Sequence, residues 1–162
     1  MSLTKKIVLA GHFGVGKSSL IRRFVEGTFS EDYKATIGVH ISKKTVILED
    51  GTSIALIIWD LEGQDDIRAM RASYMMGVSG IIYAFDLSRP ATFENLANDI
   101  NYLEETFQNI PIKVVGNKRD LVLKPQLVQY ADVFERYVDF FTSAKSGSRV
   151  DTLFSKLAKE LV

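Results

Sequence analysis

Residues 11–19 read Gly11-His12-Phe13-Gly14-Val15-Gly16-Lys17-Ser18-Ser19, and this stretch decides the fold. It matches the phosphate-binding pattern G-x-x-x-x-G-K-[ST]. The apolar run Ile7-Val8-Leu9-Ala10 precedes it, and the helical-looking Leu20-Ile21-Arg22-Arg23-Phe24-Val25-Glu26 follows. Strand, glycine-rich turn and helix start form the context in which the pattern holds phosphate. Its glycines let successive backbone N–H groups curve inward around an anion, and the helix N-terminus adds partial positive charge. Lys17 can reach the terminal phosphates, and Ser18 can hold a magnesium ion.

Working outward, residues 5–10 form a first strand apolar enough to be buried on both faces. Leu20, Ile21, Phe24 and Val25 stripe a helix from about Lys17, which Gly27 ends. Residues 28–38 lack a sustained period and read as a loop. Next come two β-rich runs, 39–48 and 54–59, joined at Glu49-Asp50-Gly51-Thr52, a hairpin turn signal. Residues 66–76 suggest a short helix, and 80–85 a buried strand. Phe93, Leu96, Ala97, Ile100, Leu103 and Phe107 recur at helical spacing in a helix that begins near Pro90. Pro111 introduces a strand at 112–116. Residues 125–136 read as one modest helix and 138–141 as a sixth strand. Val150, Leu153, Phe154, Leu157 and Leu161 stripe a last helix. Strand and helix alternate with one hairpin, which predicts an α/β fold: a six-stranded mixed sheet with helices on both faces, in a single domain over residues 1–162.

Composition narrows the function classes. Twenty Lys plus Arg balance 20 Asp plus Glu across 162 residues, so nothing supports a strongly basic nucleic-acid surface. Cysteine is absent, which removes disulfides, thiolate catalysis and cysteine-borne lipid anchors from this chain. His12 and His40 are the two histidines, too few for a histidine metal cluster. The N-terminal residues lack a signal-peptide apolar region, and no run is long enough to span a membrane, so the chain reads as cytoplasmic.

Ligands of open α/β sheets sit beyond the carboxyl ends of the strands. The polar residues that follow strands 1, 3, 5 and 6 should therefore converge. After strand 3 come Asp60, placed to hold magnesium through water or from behind its direct ligands, and Gly63, whose N–H can face a terminal phosphate. After strand 5 come Asn117, Lys118, Arg119 and Asp120. The Asp120 carboxylate can take the two N–H groups that guanine offers and adenine does not, while the Lys118 stem packs on the base. After strand 6 come Thr142, Ser143, Ala144 and Lys145, where the Ala144 N–H can face the guanine oxygen.

These motifs resemble the Ras superfamily of small GTPases, most of all its Rab branch, over essentially the whole chain. The resemblance rests on GHFGVGKS, Thr36 in YKATIG, DLEGQ, NKRD and TSAK, in family order. It implies a G domain of the P-loop NTPase type that binds GTP or GDP with magnesium and hydrolyses GTP slowly. The implied nucleotide contacts are Phe13, Gly14, Val15, Gly16, Lys17, Ser18, Ser19, Phe29, Tyr33, Thr36, Gly63, Asn117, Lys118, Asp120, Leu121, Ser143, Ala144 and Lys145. Phe29 stacks edgewise near the base, and Tyr33 lies over the phosphates. Ser18, Thr36 and Asp60 are the implied magnesium set, while Gln64, with Lys17 and Thr36, serves hydrolysis by orienting water. Residues 29–40 and 61–76 are the implied switches, read by effectors, exchange factors and activating proteins.

Three features depart from that pattern. Phe13 stands where glycine or serine is usual, so its ring either obstructs Gln64 or an incoming arginine or tips outward. Leu61-Glu62 replaces Thr-Ala, and a carboxylate beside a triphosphate must point away or bind the metal, pointing away being the favoured expectation. The chain ends at Val162 without prenylation cysteines, so either a tail is missing or the protein works unanchored. A GTP-binding scaffold impaired in hydrolysis is the alternative function, and a P-loop kinase is a third.

Overall fold

The structure is a computed structural model and describes residues 2–32 and 34–162. Its sheet is ordered β2-β3-β1-β4-β5-β6, with β1 Ser2–Ala10, β2 Val39–Ile47, β3 Ser53–Leu61, β4 Gly80–Asp86, β5 Ile112–Asn117 and β6 Phe140–Phe141. Among the described residues, only the β2/β3 hairpin is antiparallel; the other pairings are parallel. The hairpin turns at Gly51, whose φ of 87° lies in the left-handed region that glycine enters without a Cβ clash. The sheet and its mixed character are as the residue pattern predicts.

Alternation along the strands divides the core. Ile7 and Leu9 of β1 join Ile54, Leu56 and Ile58 of β3 on one face, covered by α1 (Lys17–Glu26) and α5 (Val150–Glu160). Phe24 and Phe154 stack there with centroids 4.0 Å apart. Val8 and Ala10 look the other way, with Ile81, Tyr83 and Phe85 of β4, under α2 (Leu96–Thr106) and Phe134 of α4 (Ala131–Tyr137). Every residue of β4 is buried, which is why its sequence is continuously apolar and not alternating. Each large side chain sealed in these layers stabilises by roughly 1.5–3 kcal/mol, enough to fix strand register across the sheet.

Four local expectations need correction. The expected helix over 66–76 is two separate 3₁₀ turns, Ile67–Ala69 and Ala72–Met75, with extended backbone at Met76 and Arg71. The helix expected from Pro90 begins at Leu96, because Pro90–Thr92 forms its own 3₁₀ turn pinned by the Thr92 hydroxyl on the Arg89 carbonyl. Residues 125–136 are two helices, α3 (Lys124–Gln129) and α4, broken where Tyr130 leaves helical geometry at φ −111° and ψ 19°. The sixth strand is only two residues long. Lys44 of β2 reaches back to α1: its ammonium donates to the Phe24 carbonyl and lies 4.5 Å from that ring centre. Among the described residues, no helix is long and apolar enough to cross a membrane.

Candidate functional site

The carboxyl ends of β1, β3 and β5 open into a cleft of about 650 Å³. Its floor is the 11–19 loop. Gly16 ends that loop in left-handed geometry, φ 99°, and passes directly into α1. No side chain caps α1, and no acidic residue occupies its first turn, so its leading N–H groups face the cleft with their partial positive charge uncompensated. Three consecutive loop carbonyls are held from outside. Arg89 Nη2 donates to Phe13 O, Lys118 Nζ to Gly14 O at 2.7 Å, and Asn117 Nδ2 to Val15 O at 3.0 Å. The fit is close: a Cβ on Gly16 would lie 2.3 Å from Asn117 Nδ2.

Lys17 is buried, with Nζ 3.3 Å from His12 O and 3.5 Å from Gly11 O. Burial pulls its ammonium below the ordinary value, and the Asp60 charge opposes that pull. Nearby, Thr36 leans across from the 28–38 loop so that its hydroxyl lies 2.9 Å from Ser18 Oγ and 3.3 Å from Asp60 Oδ2. Ser18 Oγ donates to the same carboxylate oxygen. Burial raises the Asp60 carboxyl above the usual range, against the Ser18 hydroxyl and the Lys17 charge. The other oxygen, Asp60 Oδ1, is buried without a hydrogen-bond partner among the described residues. Two hydroxyls, one carboxylate and an orphaned oxygen form a hard-oxygen set that fits a magnesium ion retaining waters. Among the described residues, no group of three or more His, Cys, Asp or Glu comes together elsewhere as a rival metal centre.

At the other end of the cleft, Asn117 organises two motifs. Its Oδ1 accepts the Thr142 hydroxyl at 3.1 Å and the Ala144 N–H at 3.3 Å. Lys118 follows at φ 64°, a left-handed position that turns its side chain back over the phosphate loop. Asp120 accepts the Ser143 hydroxyl at 2.7 Å on Oδ1. Lys145 pairs with Glu31 at 3.0 Å across the mouth, a contact that raises the lysine's pKa. Arg23 ties this wall to α1 through the Ala144 and Lys145 carbonyls.

Most residues singled out from the sequence line this one cleft: Phe13, Gly14, Gly16, Lys17, Ser18, Ser19, Phe29, Thr36, Asp60, Gly63, Asn117, Lys118, Asp120, Leu121, Ala144 and Lys145. Val15 is in the core and offers only backbone, while Ser143 stands behind Asp120. Tyr33 lies outside the described residues. The Ala144 N–H, expected to face guanine, is directed at Asn117. Gln64 is half-buried beside the cleft and is held by its own N–H on Gly11 O at 3.1 Å. Glu62 points away from the phosphate loop: its Oε2 accepts the Gly38 N–H at 3.3 Å, while its own N–H donates to Gly38 O at 2.9 Å. Phe13 is 46% exposed at the rim. Trp59 is half-buried beneath the Lys6 ammonium, 3.5 Å from its ring centre, and against Tyr74.

Sequence reasoning missed Asp86 and Arg89. It followed the ends of strands 1, 3, 5 and 6, but β4 lies between β1 and β5, so its end also abuts the phosphate loop. A buried aspartate closing an otherwise apolar strand is the signal that would have found them.

A glycine-rich loop, an uncapped helix start and a hydroxyl–carboxylate oxygen cluster are the features of a nucleotide-binding α/β protein of the P-loop class. The Ras family model matches residues 6–162. The chain is 37% identical over 164 aligned positions to Ras-related protein Rab-13 of Canis lupus familiaris, covering 97% of this chain and 79% of that protein. Against Ras-related protein Rab-1A of Dictyostelium discoideum, identity is 37%, covering 96% of this chain and 79% of that one. Against Ras-related protein RABA1i of Arabidopsis thaliana it is 38%, covering 96% and 73%. The chain belongs to the Ras family of small GTPases, with homology to its Rab members.

Proposed function

We propose that the cleft holds GTP or GDP with magnesium and that the chain hydrolyses GTP slowly, as a switch whose moving parts are residues 29–40 and 61–76. The observation that carries this reading is Thr36, drawn out of its loop onto Ser18 and Asp60 beside the buried, unpartnered Asp60 Oδ1. A loop residue that reaches the metal set can also meet a terminal phosphate, and a segment ordered by that phosphate is released when the phosphate leaves. Magnesium would be held by Ser18, Thr36 and Asp60 and would neutralise phosphate charge. Lys17 and the N–H groups of residues 14–18 bind phosphate oxygens, and Gln64 positions water. Asp120 selects guanine, and Lys118 packs along the base. Membrane association, if any, would come through a tail or a partner. Effectors, exchange factors and activating proteins would read the two switches.

A second reading keeps binding and discards most hydrolysis. It draws on the Gln64 side chain standing beside the cleft and on the Phe13 ring at its rim. Single-turnover hydrolysis of preloaded GTP separates the two. With Phe13 turned outward, Phe13→Gly is expected to change the intrinsic rate less than about threefold, and an acceleration of tenfold or more would support the impaired reading.

A further inference from the structure

We infer that Arg89 is a positioning residue that aims the Gly14 N–H at the nucleotide's phosphates, with buried Asp86 as its anchor. The inference rests on the guanine-nucleotide reading of the cleft. Arg89 Nη2 donates to the Phe13 carbonyl, and its Nε lies 3.2 Å from Asp86 Oδ2. Its guanidinium packs against Gly14: a Cβ built there would lie 3.4 Å from Nη1 and 3.7 Å from Nη2. A trans peptide is planar, with its C=O and the following N–H pointing in opposite directions. Holding Phe13 O outward therefore turns the Gly14 N–H inward.

The same logic runs through the next two peptides. Lys118 holds Gly14 O, which turns the Val15 N–H inward, and Asn117 holds Val15 O, which does the same for Gly16. Those two anchors come from the motif after β5. Arg89 supplies the third from a different connection, at the end of the loop where no residue of β5 reaches. Asp86 makes the set cooperative. Its side chain is 1% exposed, and Oδ2 stands 2.9 Å from Lys118 Nζ as well as 3.2 Å from Arg89 Nε. Oδ1 is fixed by the Ser88 N–H at 2.9 Å and the Ser88 hydroxyl at 2.6 Å. One buried carboxylate thus sets two cations that grip neighbouring carbonyls. Arg89 itself is 47% exposed, so its removal leaves the core intact.

The test is Arg89→Ala and Arg89→Lys, with GDP and IDP as probes; IDP lacks the exocyclic amine that a base-selecting carboxylate needs. Loss of one charge-assisted anchor is expected to speed GDP dissociation about tenfold. The ratio of GDP to IDP affinity should stay within twofold of wild type, because the base end is untouched. The Gly14 amide proton resonance of the GDP complex should move upfield as its phosphate contact weakens. Arg89→Lys should fall between, since a lysine keeps the charge but lacks the fork by which the guanidinium spans Phe13 O from Nη2 and Asp86 from Nε. A GDP dissociation rate within twofold of wild type in Arg89→Ala overturns the inference. So does a fall in the GDP/IDP ratio as large as the change in rate, which would mark general loosening of the site. If wild type binds neither nucleotide, it is the guanine-nucleotide reading that fails.

Discussion

Gly63 is where the second switch touches the phosphate loop, and adding one carbon there measures how closely the two must fit. A Cβ at Gly63 would lie 2.5 Å from Phe13 N, 2.6 Å from Phe13 Cα and 2.9 Å from His12 C. All three are backbone atoms, so no rotamer change relieves the clash. Gly63 is not among the residues with left-handed φ, so the strain in Gly63→Ala is purely one of space. Relief requires the 61–65 segment to retreat by about 0.9 Å to an ordinary 3.4 Å contact. The Gln64 N–H bond to Gly11 O, now 3.1 Å, then opens to about 4 Å and is lost. Displacement of a positioning group by about 1 Å costs on the order of 10²-fold in rate. Single-turnover phosphate release from preloaded GTP is therefore expected to slow about a hundredfold in Gly63→Ala. GDP dissociation, which in the proposed reading depends on Lys17, Asn117 and Asp120, should change less than about threefold. Hydrolysis within threefold of wild type would refute the claim that this contact sets the position of Gln64. Equal losses in hydrolysis and GDP retention would refute it too.

Two further outcomes follow from other contacts. Glu62→Ala removes the acceptor for the Gly38 N–H, a long and partly exposed bond of about 1 kcal/mol, so amide exchange at Gly38 should quicken roughly fivefold. Glu62→Gln, which keeps an acceptor, should retain most of the protection, and unchanged exchange in the alanine variant would show that the two switches are not coupled there. Asp99 is buried and accepts the Tyr83 hydroxyl at 2.7 Å, and burial raises its carboxyl above the ordinary aspartate range. The folded state therefore holds this proton to higher pH than the unfolded chain. Its contribution is fully present below the unfolded pKa and is lost as pH rises through the folded one. Asp99→Asn keeps an acceptor without the charge, so its Tm should exceed that of wild type at pH 7, with the difference shrinking toward pH 4. A constant difference across that range would contradict the sign of the shift.

The sheet was legible because its signals are redundant. Ile7 to Ala10, Ile54 to Trp59 and Ile81 to Phe85 are apolar runs bounded by turn residues, and the Asp50-Gly51 pair fixes the one antiparallel connection. The helices flanking the site were less legible, because local bonds override periodicity there. The Asp66 carboxylate takes the Arg68 N–H and tightens 67–69 into a 3₁₀ turn, and the Thr92 hydroxyl does the same after Pro90. Apolar spacing carries no trace of either bond. The cleft was readable residue by residue where a motif constrains chemistry. The Asp86–Arg89 anchor was not, since it depends on β4 lying beside β1, a neighbour relation that strand identity alone does not encode. Glu62 was readable only as a charge that should turn away from phosphate; that it turns onto Gly38 follows from the β2/β3 ladder ending one residue earlier, at Val39 and Leu61.

The most direct measurement is equilibrium competition between GTP and ATP for nucleotide-free protein in the presence of magnesium. Asp120 lines the cleft with one oxygen on Ser143, and in the proposed reading its carboxylate takes the guanine N–H groups. Sites built on such hydrogen bonds reject a partner lacking them by about 10⁴-fold. GTP is expected to bind at least a thousandfold more tightly than ATP, with Asp120→Asn erasing most of that preference. Equal affinity for the two nucleotides in the wild-type protein would contradict it.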